Sequence, residues 1–184
     1  MAAYLEQQRI AVCAIQEHRV VHNEEVRDLQ LASSANSAGV GGVGFVLSAM
    51  ASKALSRTVV VSPRIMWLQF NGAALVRTHV ICVCGPTNTA ETETKKAFYD
   101  QLSACTSNIP MREPLYILGD FTANLDHSKA PYPVHDVANE NGELLAELMD
   151  DLGLLSVLCS LRKPRSQGSP IVYQVDTSQE LATV

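Results

Sequence analysis

The sequence has no surplus of positive charge. Across 184 residues, 14 Lys and Arg face 19 Asp and Glu, a formal net charge of −5. Sequence-independent DNA binding rests on a basic patch, so strong affinity of that kind would need help from elsewhere. Cation-dependent chemistry is not excluded, because carboxylates that hold a cation add negative charge. Long apolar runs are also missing: nothing approaches the roughly 20 residues of a membrane span, and no membrane partner is expected. Met1 is followed by AAYLEQQR, an amphipathic helix start and not the apolar core of a secretory signal. An intracellular protein is expected.

Cysteine is present in the wrong pattern for a framework. The five, at 13, 82, 84, 105 and 159, are odd in number and irregular in spacing, which argues against paired disulfides. Cys82 and Cys84 share one face of a strand pattern, but no second pair completes a zinc site. Buried reduced thiols are the expectation. No internal repeat is found.

What is present is a globular composition, 47% hydrophobic, in a chain long enough to bury a core as one domain. Its most informative stretch is Pro114 to Asn124, PLYILGDFTAN. Leu115 to Leu118 is an unbroken apolar run, expected as a strand buried on both faces. It ends in Gly119 and Asp120. A carboxylate at the exit of a rigid strand can reach a cleft; equally, Asp favours turns.

Along the chain, residues 3 to 10 read as the end of a helix and Ile10 to Gln16 as a strand, with Glu17 at its carboxyl end. His18, Arg19, His22, Glu24 and Glu25 read as a solvated loop. Gly39 to Gly44 spells G-x-G-x-x-G, yet a polar loop precedes it and the strand-like Phe45-Val46-Leu47 follows. A dinucleotide fingerprint requires a strand before and a helix after, so no nucleotide cofactor is expected. Val59 to Val61, Arg64 to Phe70 and Ala74 to Cys84 read as strands, with a hairpin turn at Asn71-Gly72 and Trp67 in the core or on the sheet surface. Thr92 to Ile109 reads as a helix with Phe98, Leu102, Cys105 and Ile109 as its apolar stripe, stopped by Pro110. A loop with His135 and Asp136 follows the central strand. Asn141 is the expected cap of a helix to Leu152, burying Leu144, Leu145, Leu148 and Leu152, with Gly153 as its stop. Leu154 to Leu158 reads as a strand. Past Arg162 the pattern dissolves.

Several segments resemble one family in order. Gly119 to Asn124, GDFTAN, resembles the GDFNA signature of the endonuclease/exonuclease/phosphatase superfamily, and within it the endonuclease domains of LINE-type non-LTR retrotransposons. Ala14 to Arg19, AIQEHR, resembles that family's LQETR strand-plus-glutamate motif. Gly41 to Ser48 resembles its GGVGFLLS strand, Ser62 to Ile65 its SDRI segment, Val80 to Asn88 its VISVYAPTN, and Asn139 to Leu145 its NENGELL helix start.

The resemblance implies an α/β fold, a four-layer α/β/β/α sandwich with two packed sheets flanked by helices, incomplete at both ends. It implies a domain over 1–162 and an irregular or divergent tail over 163–184. It further implies Mg²⁺-dependent DNA nicking, nuclear if the retrotransposon reading holds. Glu17 would be the metal-binding glutamate, holding Mg²⁺ or Mn²⁺ weakly. Asp120 would orient or deprotonate the attacking water, and position 122 would contact the phosphate. Cys84 and Asn124 would line the cleft. The chain departs from the pattern in three ways. Thr122 replaces an asparagine, and Cys84 replaces a tyrosine. The family's N-terminal asparagine strand and its C-terminal I-D-Y and S-D-H segments have no counterpart. Two functional readings follow: an impaired DNA endonuclease, and a non-catalytic binding protein that keeps the fold.

Overall fold

The computed structural model describes residues 10–18, 42–72, 76–126 and 137–156, and the backbone of 171–174. Eight strands and three helices lie among them, and no described helix is long and apolar enough to cross a membrane. The chain divides into two compact units. The first comprises Met1–Cys84 with Asn108–Gly119, and the second Gly85–Ser107 with Asp120–Val184. The expected boundary between 162 and 163, the histidines at 22 and 135, the tail beyond Gln174 and the first helix up to residue 9 lie outside the described residues.

The first unit is a sheet packed on a sheet. Strands β1 (Val12–Gln16) and β2 (Val43–Leu47) pair antiparallel, Ala14 opposite Phe45. Strands β3 (Leu55–Ser62), β4 (Ile65–Asn71) and β5 (Arg77–Cys84) form an antiparallel meander. Beside β5 lies β6 (Leu115–Asp120). The His79 amide donates to the Pro114 carbonyl, 2.8 Å, and Gly119 lies against Val83, so β5 and β6 run the same way. Period-two alternation then decides what is buried. Met66, Leu68 and Phe70 of β4, with Val80, Cys82 and Cys84 of β5, meet Val43, Phe45 and Leu47 of β2 in one core. The short helix α1 (Ala49–Ala54), which the sequence pattern did not reveal, adds Ala51 to it and is capped by the Ser48 hydroxyl.

Burial along β6 corrects the expectation of a strand buried on both faces. Leu115 and Ile117 are buried, whereas Tyr116 and Leu118 are half-buried beside the β2–β4–β5 core. The run is apolar because both faces touch protein, but one face is covered incompletely. On the sheet face away from that core, half-buried Trp67 donates from Nε1 to His79 Nδ1 at 3.2 Å, and Arg57 stands over its ring. With Nδ1 accepting, the neutral ring carries its proton on Nε2, which meets Glu113 Oε2 at 2.7 Å. This buried pair ties the loop before β6 to β5.

The second unit holds two longer helices, α2 (Thr92–Thr106) and α3 (Glu140–Leu152). In α2, Phe98, Tyr99 and Leu102 are buried. The helix stops short of the expected Ile109, and the Ser107 amide closes its last turn on the Ser103 carbonyl. In α3 the buried stripe is Leu145, Leu148 and Met149, with Leu144 and Leu152 only half-buried. Gly153 ends it in the left-handed conformation, φ 62°, as expected of a C-terminal glycine. Beyond it β7 (Leu155–Ser156) pairs parallel with β8 (Ile171–Gln174), which lies within the stretch expected to be irregular.

Candidate functional site

Glu17 follows β1 directly and is exposed. Its backbone turns into the left-handed region, φ 49°, where few residues other than Gly, Asn and Asp go. This break in the extended path ends β1, which paired with β2 up to Gln16 opposite Val43. Gln16 itself is tied inward: its Nε2 donates to the Cys82 sulfur, 3.3 Å. Burial pushes the Cys82 thiol up to about 12, against the smaller opposing effect of that amide.

Asp120 ends β6, and the chain beyond it continues to alternate. Phe121, Ala123 and Leu125 are buried, whereas Asp120, Thr122, Asn124 and Asp126 are half-buried. The GDFTAN segment therefore presents its polar residues at one parity and anchors itself with the apolar ones. Asp120 Oδ1 accepts from the Thr122 amide at 2.8 Å and faces the Thr122 hydroxyl at 3.5 Å. This is the Asx turn that aspartate favours, so the turn-former and the strand-end carboxylate are one residue. Thr122 has φ 49°, an outlier for a β-branched side chain.

Around this turn the second unit is stitched together by side-chain amides and one amine. The Gly85 amide donates to the Asp120 carbonyl, 2.6 Å. Asn139 Oδ1 accepts from the amides of Gly142 (2.8 Å) and Asn124 (2.9 Å), while its Nδ2 donates to the Thr122 carbonyl (3.0 Å). Asn141, fully buried, donates from Nδ2 to the carbonyls of Pro86 (2.8 Å) and Thr122 (3.4 Å). Tyr99 donates its hydroxyl to the Asn141 carbonyl, 2.9 Å, and burial holds that phenol above its ordinary pKa. Lys95, 3% exposed, reaches the Asn88 carbonyl (2.7 Å) and Glu140 (2.6 Å).

This corrects the expected helix cap. Asn139, not Asn141, caps α3: it is extended, with its side-chain oxygen over the third helical amide. Asn141 lies within the first turn and faces the loops after β5 and β6 instead. Gly142 follows from the same packing, since a Cβ there would overlap the Asn124 carbonyl oxygen. Sequence reasoning passed over Lys95, and it named Asn139 only as the first residue of a segment resembling a helix start, without giving it the cap.

Of the expected site residues, Asp120, Thr122 and Asn124 stand together in the second unit, and Glu17 and Cys84 belong to the first. Cys84, the last residue of β5, is buried in the β2–β4–β5 core, and its carbonyl accepts from Arg64 Nη1 at 3.1 Å. No group of three or more His, Cys, Asp and Glu among the described residues is arranged to hold a metal ion.

No family model matches this sequence, and no curated protein matches it. By structure the chain is similar to the catalytic domain of Xenopus laevis APE2, seen in a crystal structure, with a TM-score of 0.54 and 15% identity. That likeness is one of fold, a mixed α/β arrangement with a multi-strand sheet and few helices. The likeness covers 79% of this chain and 61% of the APE2 domain, so the chain spans about three-fifths of that domain's length. Within this mixed α/β fold Glu17 directly follows β1 and Asp120 ends β6.

Proposed function

We propose that this chain is the core of a DNA-nicking endonuclease domain of the LINE-type, built on a four-layer α/β/β/α sandwich, with Glu17, Asp120 and Thr122 as its catalytic residues and turnover that is feeble at most. One observation carries the reading. Glu17 and Thr122 are the non-glycine residues of positive φ among those described, and both stand in segments that resemble nuclease motifs. Strained backbone of this kind clusters at functional sites. The shared fold with a nuclease catalytic domain supports the same reading.

Phosphodiester hydrolysis needs a cation on the phosphate, an activated water and stabilisation of developing charge. Magnesium takes oxygen ligands and retains several waters. Glu17, an exposed carboxylate at a strand end, fits as a single protein anchor, which makes binding of Mg²⁺ or Mn²⁺ weak. Bound there, the ion would supply charge neutralisation at the phosphate. Asp120 orients or deprotonates the attacking water, one of its oxygens being steadied by the Thr122 amide. Thr122 offers the phosphate a single hydroxyl donor where an amide would be longer and differently directed. Loss of one transition-state donor commonly costs about 2.7–4 kcal/mol, roughly 10²–10³ in rate. The domain would act in the nucleus.

The second reading, a binding protein that retains the fold, is favoured by one contact. The Thr122 hydroxyl lies 3.5 Å from its own neighbour Asp120 Oδ1, turned on the carboxylate it would have to work beside. Nicking of supercoiled plasmid with Mg²⁺ or Mn²⁺ tests both. Weak, metal-dependent nicking lost in Glu17→Gln and in Asp120→Asn supports the endonuclease. Nicking insensitive to both substitutions rejects this site, and no nicking above background with retained DNA binding favours the second reading.

A further inference from the structure

Asn139 uses the two ends of one amide for different tasks. Its oxygen faces two backbone N–H groups, those of Gly142 and Asn124, and its nitrogen faces the Thr122 carbonyl. Exchanging the two atoms would set donor against donors and acceptor against acceptor, so the surroundings define the orientation. The oxygen's task is structural: it starts α3. The nitrogen's task has no bearing on the helix.

The second task matters because Thr122 does not hold its conformation unaided. A β-branched residue is costly in the left-handed region. If Thr122 relaxed, its two flanking peptides would rotate, and its amide would leave Asp120 Oδ1, 2.8 Å away. The chain is clamped on either side of that residue. Before it, the Gly85 amide holds the Asp120 carbonyl. After it, Asn139 and Asn141 both donate to the Thr122 carbonyl, and Asn139 also accepts from the Asn124 amide. Both asparagines are themselves fixed, Asn139 by the helix it caps and Asn141 by burial and the Pro86 carbonyl.

We propose that Asn139, seconded by Asn141, is a positioning residue that locks the Asp120–Thr122 turn, acting through the Thr122 carbonyl to aim the Thr122 amide at the Asp120 carboxylate. Its consequence for catalysis rests on the endonuclease reading above; its consequence for the turn does not.

The variant that separates the tasks is Asn139→Asp. A carboxylate keeps the acceptor for Gly142 and Asn124 and is as good a helix cap, but it cannot donate to Thr122. Amide hydrogen exchange of the whole chain, resolved by residue, is the primary readout. The Thr122 amide should exchange on the order of tenfold faster, while core amides such as Leu68 and those of the middle of α3 keep their rates. A merely structural role would move all of these amides together, and that result, or an unchanged Thr122 amide, overturns the proposal. Asn139→Ser, which also caps but carries no amide, serves as the second variant if the aspartate does not fold, with the same expectation.

Plasmid nicking is measured on the same samples. A fall of roughly ten- to a hundredfold at an unchanged urea midpoint supports positioning for catalysis. If the parent chain does not nick but Thr122 exchange rises selectively, the positioning role stands and the endonuclease reading falls. If the parent chain nicks and Asn139→Asp matches it in both nicking and exchange, the endonuclease stands and the positioning role falls.

Discussion

Glu17 and Thr122 share a backbone angle, φ 49°, that no other described non-glycine residue takes with positive sign. One follows the end of β1 and the other follows Asp120 at the end of β6. Neither residue type favours this conformation, so in each case the surroundings impose it.

Relief of that strain is measurable at Thr122. Thr122→Gly should stabilise the chain by about 1 kcal/mol, the lower end of the cost of holding a non-glycine residue there, because glycine's greater unfolded freedom offsets part of the gain. Thr122→Asn should move the urea midpoint the same way by less, since asparagine tolerates the left-handed region. Thr122→Val, which keeps the branch, should show no gain. Thr122→Asn alone should leave nicking near background, because the nuclease motifs without counterpart here are not supplied by one amide.

The glycines at 119 and 142 should tolerate no side chain. A Cβ at Gly119 would overlap the Val83 carbonyl, and the residue has φ 147°; a Cβ at Gly142 would overlap the Asn124 carbonyl. Both obstacles are backbone, which cannot swing aside. Alanine at either should cost roughly 1–3 kcal/mol or more, as overpacking does. Gly153 is the comparison: nothing lies near its Cβ position, so Gly153→Ala should cost only about 1 kcal/mol, the penalty for its left-handed φ. Chemical denaturation of the three variants ranks them.

Cys82 should be inert in the folded chain. Its thiol is 0% exposed and pushed up to about 12 by burial, and the thiolate is the reactive form. Iodoacetamide at mildly alkaline pH should leave Cys82 unmodified by peptide mass analysis until denaturant is added. Rapid native labelling of Cys82 would contradict its place in the β2–β4–β5 core.

The Lys95–Glu140 pair should make stability depend on pH in one direction. The Lys95 ammonium, and then Thr92, hold the Glu140 carboxyl below its ordinary value of 4.5. The folded pKa is thus below the unfolded one. The pair stabilises the fold above the unfolded value and loses that contribution as pH falls through the lower folded value. Glu140→Gln should therefore lower the urea midpoint at neutral pH and flatten the acid limb of the profile. A profile of unchanged shape would show that the bridge contributes nothing, as happens where one partner, here Glu140, is in reach of solvent.

What the sequence by itself determined is what depends on nearest neighbours along the chain. The apolar run Leu115 to Leu118 ending in Gly119-Asp120 specified β6 and its terminal carboxylate. The spacing of Phe98 and Leu102, and of Leu145 and Leu148, specified two helices and their buried faces, and Gly153 marked the end of α3. Short motifs also singled out Glu17, Asp120 and position 122, because strand-end residue types survive in the letters. The tertiary structure alone decided the rest. Neither glutamate nor threonine carries a local preference for positive φ, and at 122 the contacts that hold the turn come from Asn139 and Asn141, distant in sequence. Asn139 and Asn141 are the same residue type two positions apart, and which one caps α3 follows from where the loops after β5 and β6 place their carbonyls and amides. Gly142 needs to be glycine only because the Asn124 carbonyl comes against it. For Asn139, Asn141 and Gly142 the deciding partner is a backbone group brought close by folding, and a side-chain pattern holds no record of it.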